Sequence, residues 1–138
     1  MDRKLSTMMM LGAGMIENFN PDTYLRNDAG KWCGCAIGMA CLAAGEESAS
    51  HRHNIFPWLN TNPEGSSVNY DTVISQKFRD VCYQAQNESR APSLDGLADW
   101  IRSVEPECGE CNMHNCICAE MKVMEEMGVA EETEPAFA

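Results

Sequence analysis

The sequence predicts a mainly α fold: a compact bundle of about four to five helices with one short β-hairpin near residues 23–33 and a cysteine-rich C-terminal appendix. Three observations predict it. Apolar residues recur at helical spacing in several separate stretches; one segment carries two β-prone runs around a tight turn; and four cysteines crowd into eleven residues near the C-terminus. A chain of 138 residues with 44% hydrophobic content and a mean hydropathy of −0.35 has enough apolar material for one ordinary core.

The elements follow in order. Leu5, Met8, Met9, Met15, Ile16 and Phe19 place an amphipathic helix over residues 4–19, ended by Asn20-Pro21. Gly12 and Gly14 weaken that helix by about 1 kcal/mol each against alanine, but they could admit a closely packed neighbour. Thr23-Tyr24-Leu25-Arg26 and Lys31-Trp32-Cys33 flank Asn27-Asp28-Ala29-Gly30, which reads as a hairpin with Gly30 supplying the positive φ.

Cys35 to Ala44 is apolar on every side, so it predicts a helix buried within the core, closed by Gly45. Ile55-Phe56-Pro57-Trp58-Leu59 is too short and too Pro-interrupted to predict a helix, and residues 60–69 read as loop. Ile74, Phe78, Val81, Cys82 and Ala85 mark the inner face of a helix over residues 70–86, with Asn69 or Asp71 as its N-cap. A last domain helix follows Pro92, capped by Ser93, with Leu94, Leu97, Ala98, Ile101 and Val104 inward.

Two units are expected: a helical domain over residues 1–104 and an acidic, Cys/Met-rich appendix over residues 105–138. Ile117, Met121 and Met124 share one face of a helix in the appendix, with Met127 close by, and the last eight or so residues are expected to be disordered. The net charge of −11 is concentrated there: residues 105–138 hold nine acids and one base, leaving only −3 for residues 1–104. Such a tail disfavours direct binding to nucleic acid or an anionic membrane and suits either solubility or a basic protein partner.

The apolar stretch around Ala36 to Ala44 is too short to span a bilayer. The N-terminal run is broken by Gly12, Gly14 and Glu17 without a cleavage site, so a cytoplasmic protein is expected, its eight cysteines held as thiols or metal ligands.

Cys108, Cys111, Cys116 and Cys118, spaced Cys-x2-Cys-x4-Cys-x-Cys, carry the main chemical expectation. The first pair forms a knuckle, and the second pair in extended chain points two sulfurs to one side. Four thiolates suit tetrahedral Zn²⁺ as a structural metal, and His114 could replace one sulfur. Disulfides are the alternative, and iron–sulfur spacing differs.

A second constellation is Cys33 and Cys35 with His51 and His53. A helix about 15 Å long separates the pairs, and the returning loop could bring them together as a metal site or a thiol–imidazole pair. The competing view makes Cys35 and Cys41 small core residues and the histidines loop surface. No orienting group or oxyanion hole is evident for a catalytic thiol, so no catalytic residue is assigned.

The stretch Tyr24-Leu25-Arg26-Asn27-Asp28-Ala29-Gly30-Lys31-Trp32-Cys33-Gly34-Cys35-Ala36-Ile37-Gly38-Met39-Ala40 resembles a pattern in small uncharacterised phage and bacterial proteins. In those, an Asp-Gly hairpin leads into a Cys-Ala-Leu-Gly-Ala type buried helix. This chain adds Cys33 and the cysteine-rich tail. The resemblance implies a hairpin-plus-helices fold and a mobile-element origin, and it implies no activity. The functional expectation is therefore an acidic intracellular binding or regulatory protein with structural zinc, acting on a basic partner. The alternatives are a thiol-dependent enzyme using Cys33 or Cys35 with His51 or His53, and a soft-metal or redox sensor.

Overall fold

A computed structural model of the protein describes residues 3–114. Cys116, Cys118, the Ile117/Met121/Met124 face and the C-terminal eight residues lie outside the described residues. Among the described residues there are five helices and a three-stranded sheet: α1 (Leu5–Ala13), β1 (Asn18–Phe19), β2 (Leu25–Asp28), β3 (Lys31–Gly34), α2 (Ala36–Ala43), α3 (Arg52–Ile55), α4 (Tyr70–Asn87) and α5 (Asp95–Val104). A 3₁₀ turn over Pro57–Asn60 follows α3. The mainly α expectation with a short β element is met.

α2 is the centre of the core because its sequence has no polar face to show to water. Every residue from Ala36 to Leu42 is buried. α1 packs across it, and α5 packs on the other flank of α1. The α1–α2 contact depends on Gly12: a Cβ there would lie 2.0 Å from the Met39 carbonyl oxygen. The glycine that weakens the isolated helix is therefore what lets two backbones touch. Phe56, Trp58 and Leu59 enter the core from the α3–3₁₀ segment, Ile74 and Phe78 from α4, and Leu97, Ala98 and Ile101 from α5.

The N-terminal helix ends at Ala13, not at residue 19. Past Gly14 the chain extends and Asn18–Phe19 pairs in parallel with β3, in the register Asn18↔Cys33 and Phe19↔Gly34. Glu17 N–H donates to Trp32 O at 2.8 Å and Asn20 N–H to Gly34 O at 2.9 Å, bonds a continuing helix could not make. Ile16 and Phe19 still face the core, Phe19 meeting Phe78 edge-on at 5.8 Å. Their spacing matched a helix, but the sheet buries the same side chains.

The hairpin forms where expected. β2 and β3 pair antiparallel from Leu25↔Gly34 to Asp28↔Lys31, around Ala29 and Gly30. Both turn residues have positive φ, 53° and 87°, the geometry that follows strand twist in a two-residue loop. Asn27 Oδ1 accepts from Gly30 N–H at 2.8 Å and steadies the turn.

α4 starts on a true cap: Asn69 Oδ1 accepts from the Thr72 backbone N–H at 3.0 Å. α5 begins at Asp95 with Leu94 in the cap position, so Ser93 does not cap it. Residues 105–112, placed in the appendix by their acidity, are bonded to the N-terminal segment. Glu105 is buried and accepts from both the backbone N–H and the hydroxyl of Ser6, so a carboxylate from the far end of the described chain satisfies one first-turn amide of α1. Arg3 N–H donates to Gly109 O at 3.0 Å, and Asn112 is fully buried.

Candidate functional site

With Asn69 serving as the cap, Asp71 in the first turn of α4 is released for another task. It is 3% exposed, and three donors converge on it. Tyr24 Oη–H donates to Oδ1 at 2.7 Å, Arg52 Nε to Oδ2 at 2.7 Å, and His53 Nε2 lies 2.7 Å from Oδ2. The Arg52 guanidinium also lies over the Tyr24 ring, 4.1 Å from its centroid, and donates to Ala49 O at 3.1 Å. The hub thus ties the segment before β2, helix α3 and the start of α4 to one carboxylate.

Burial opposes ionisation of Asp71, but the hydrogen bonds from Arg52, Tyr24 and His53 outweigh it and hold the carboxyl below its usual range. Burial raises the Tyr24 phenol, with Asp71 adding to the effect. An ionised Asp71 is a pure acceptor, so His53 presents a protonated Nε2 to it.

Cys35 borders this hub at the N-cap position of α2, 3% exposed. Tyr24 O accepts the Cys35 backbone N–H at 3.1 Å and sits against Gly38, where a Cβ would fall 1.4 Å from that oxygen. Burial raises the Cys35 thiol above its usual range, although the Gly38 and Ile37 N–H groups pull the other way. Cys41, also buried, is pushed up to about 12, first by burial and then by Cys35. Cys82 is raised by burial, then by Cys35. Burial thus favours the thiol form of all three, which opposes nucleophilic attack.

An open cavity of about 200 Å³ adjoins Cys35, bordered also by Tyr24, Ser75 and the ion pair Arg79–Asp22 at 2.8 Å. Of the Cys33, Cys35, His51, His53 set, Cys35 and His53 therefore come to the neighbourhood of one carboxylate, with no hydrogen bond between them among the described residues. Cys33 is buried in β3 opposite Arg26. His51 is exposed, its Nδ1 3.4 Å from Asn54 Nδ2.

Cys108 and Cys111 are half-buried in the turn that Asn112 N–H closes on Cys108 O at 3.1 Å. The other two cysteines of the four lie outside the described residues. His114, the alternative ligand, donates from Nε2 to Val104 O at 2.7 Å and contacts Trp58 and Tyr70. Among the described residues, no group of three or more His, Cys, Asp or Glu is placed to hold a metal ion.

The electrostatics outside the hub are one-sided. Five of the six described arginines are committed to carboxylates: Arg26–Asp28, Arg52–Asp71, Arg79–Asp22, Arg90–Glu88 and Arg102–Asp99, all within 3.1 Å. Lys77 lies 4.5 Å from the Trp100 ring centroid. Glu17, Glu47, Glu64, Asp80, Asp95 and Glu107 remain exposed without a salt bridge among the described residues.

Asp71, Tyr24 and Arg52 are the residues that sequence reasoning missed. An acid in the first turn of a helix reads as a cap or dipole partner, and its actual partners lie 47 and 19 positions away. Comparison of the chain with protein-family models, curated proteins and solved structures returns no match. No described helix is long and apolar enough to cross a membrane.

Proposed function

We propose that this chain is a small acidic binding protein, regulatory rather than catalytic, that engages a basic surface on a protein partner. The commitment of its arginines carries the reading. Their positive charge is locally cancelled, leaving exposed carboxylates on the domain and the acid-rich residues 115–138 to set the field a partner meets. Cys108, Cys111, Cys116 and Cys118 are assigned a structural zinc ion that braces the acidic segment, in a reducing, cytoplasmic setting. The resemblance of residues 24–40 to phage proteins suits a mobile-element protein acting on a host component.

Affinity capture tests the reading, with the full chain immobilised and elution by a salt gradient. A basic protein bound one to one, released by salt, is expected. Replacing Glu120, Glu125, Glu126, Glu131, Glu132 and Glu134 with glutamine should weaken retention. Retention indifferent to both salt and these changes contradicts the reading.

The cavity beside Cys35 favours a second reading, a thiol-dependent activity of Cys35 with His53 on the neighbouring Asp71 hub. Burial of the thiol weighs against it. Iodoacetamide at neutral pH separates the two: fast alkylation at Cys35 alone supports thiol chemistry, and slow labelling of Cys35 removes it.

A further inference from the structure

α1 begins without a cap of its own. Lys4 holds the N-cap position and makes no capping hydrogen bond from its side chain, and no acid stands in the first turn. A helix of nine residues is marginal in water without outside support. Around its start that support comes from residues 105–112. Glu105 takes the amide and the hydroxyl of Ser6. Arg3, one residue before the cap, is held through both of its backbone groups: its N–H donates to Gly109 O at 3.0 Å, and its carbonyl accepts from Asn112 Nδ2 at 3.2 Å. The same side-chain amide donates to Ile55 O, at the end of α3, at 3.2 Å. Asn112 is 1% exposed, has a left-handed φ of 53°, and closes the turn with its N–H on Cys108 O. Cys108 and Cys111 therefore stand on a turn whose shape is fixed by the same bonds that hold the start of α1.

We infer that zinc at Cys108, Cys111, Cys116 and Cys118 acts as a latch on α1, so that the stability of the domain follows the metal supply. This coupling rests on the structural-zinc assignment made above and gives the ion a regulatory role beyond bracing the acidic segment. Tetrahedral thiolate coordination accepts a narrow range of turn shapes, so the ion binds the ordered 108–112 turn more tightly than a loosened one. By linkage, bound metal favours the ordered turn by the same factor. Each thiol gives its proton to solvent as its sulfur takes the metal. When the metal leaves, the turn loosens and its hold on Arg3 weakens. Opening of the first turns of α1 then uncovers Leu5, Met8 and Met9, all buried in the latched state.

The test is amide hydrogen exchange on the ¹⁵N-labelled full chain, with stoichiometric zinc and again after a chelator, the metal-to-protein ratio being measured on the same samples. The Met8 and Met9 amides are expected to exchange about tenfold more slowly with zinc bound, the worth of one to two hydrogen bonds. Asn112→Ala, which cuts the side-chain bonds from the turn to Arg3 and Ile55, should still take up zinc through the four sulfurs but lose most of that slowing. Zinc-loaded wild type whose α1 amides exchange at the metal-free rate overturns the latch and leaves the zinc assignment standing. Protein that takes up no zinc overturns both. Equal slowing in wild type and Asn112→Ala also overturns the latch, because the turn would not be its route. Where Asn112→Ala does not fold, the wild-type pair alone decides.

Discussion

At the scale of single residues, Asp71 shows how a local choice is decided by distant groups. Asn69 takes the cap because its amide oxygen reaches the Thr72 N–H, and Asp71 then turns inward to Tyr24, Arg52 and His53. Asp71→Asn keeps the shape but removes the charge that Arg52 needs, and is expected to cost about 2–3 kcal/mol near neutral pH, read by urea unfolding. The sign with pH follows from the lowered carboxyl. The unfolded chain protonates Asp71 first, so its contribution is full above about pH 4 to 5 and is lost as pH falls through the lower folded value. The difference between wild type and Asp71→Asn should therefore shrink at acid pH, and a difference independent of pH between 7 and 3 would contradict the hub.

Helices and strands were legible wherever a face is uniformly apolar or a turn has its own chemistry. α2 was readable because seven consecutive residues are buried, and the hairpin because Asn27 and Gly30 shape its turn. β1 was not, since Ile16 and Phe19 satisfy a helical spacing and a sheet edge equally well. Gly12 was readable as a place of close approach, though not the backbone it meets. Gly12→Ala forces a Cβ into the Met39 carbonyl at 2.0 Å, so α1 and α2 must separate. A loss of about 3 kcal/mol or more is expected from thermal unfolding, whereas Gly96→Ala in α5, where nothing lies within 4 Å, should be neutral or slightly stabilising. Similar behaviour of the two would mean that the helices do not cross at Gly12.

For the whole molecule, composition pointed to an acidic end, and Glu105, Gly109 and Asn112 within it are bonded to the N-terminal segment. Glu105 counts as a surface acid in any sequence tally, yet its carboxylate caps α1 through Ser6, 99 positions away. Pairings of such separation leave no local signature, and the same holds for Asn112 against Arg3 and Ile55. The proposed four-cysteine zinc site lies at the same end of the chain. Elemental analysis of protein purified without added metal is expected to find about one zinc per chain, lost on Cys108→Ser or Cys118→Ser. Metal-free protein with fewer than eight titratable thiols would favour disulfides instead.

The central claim is that exposed acidity is the working surface, and salt-gradient elution of a partner captured on the immobilised full chain tests it most directly. A one-to-one complex with a basic protein, released by moderate salt and weakened by the six glutamine replacements, is the expected result. A retained partner without a basic surface, held equally well at low and high salt, would contradict the account.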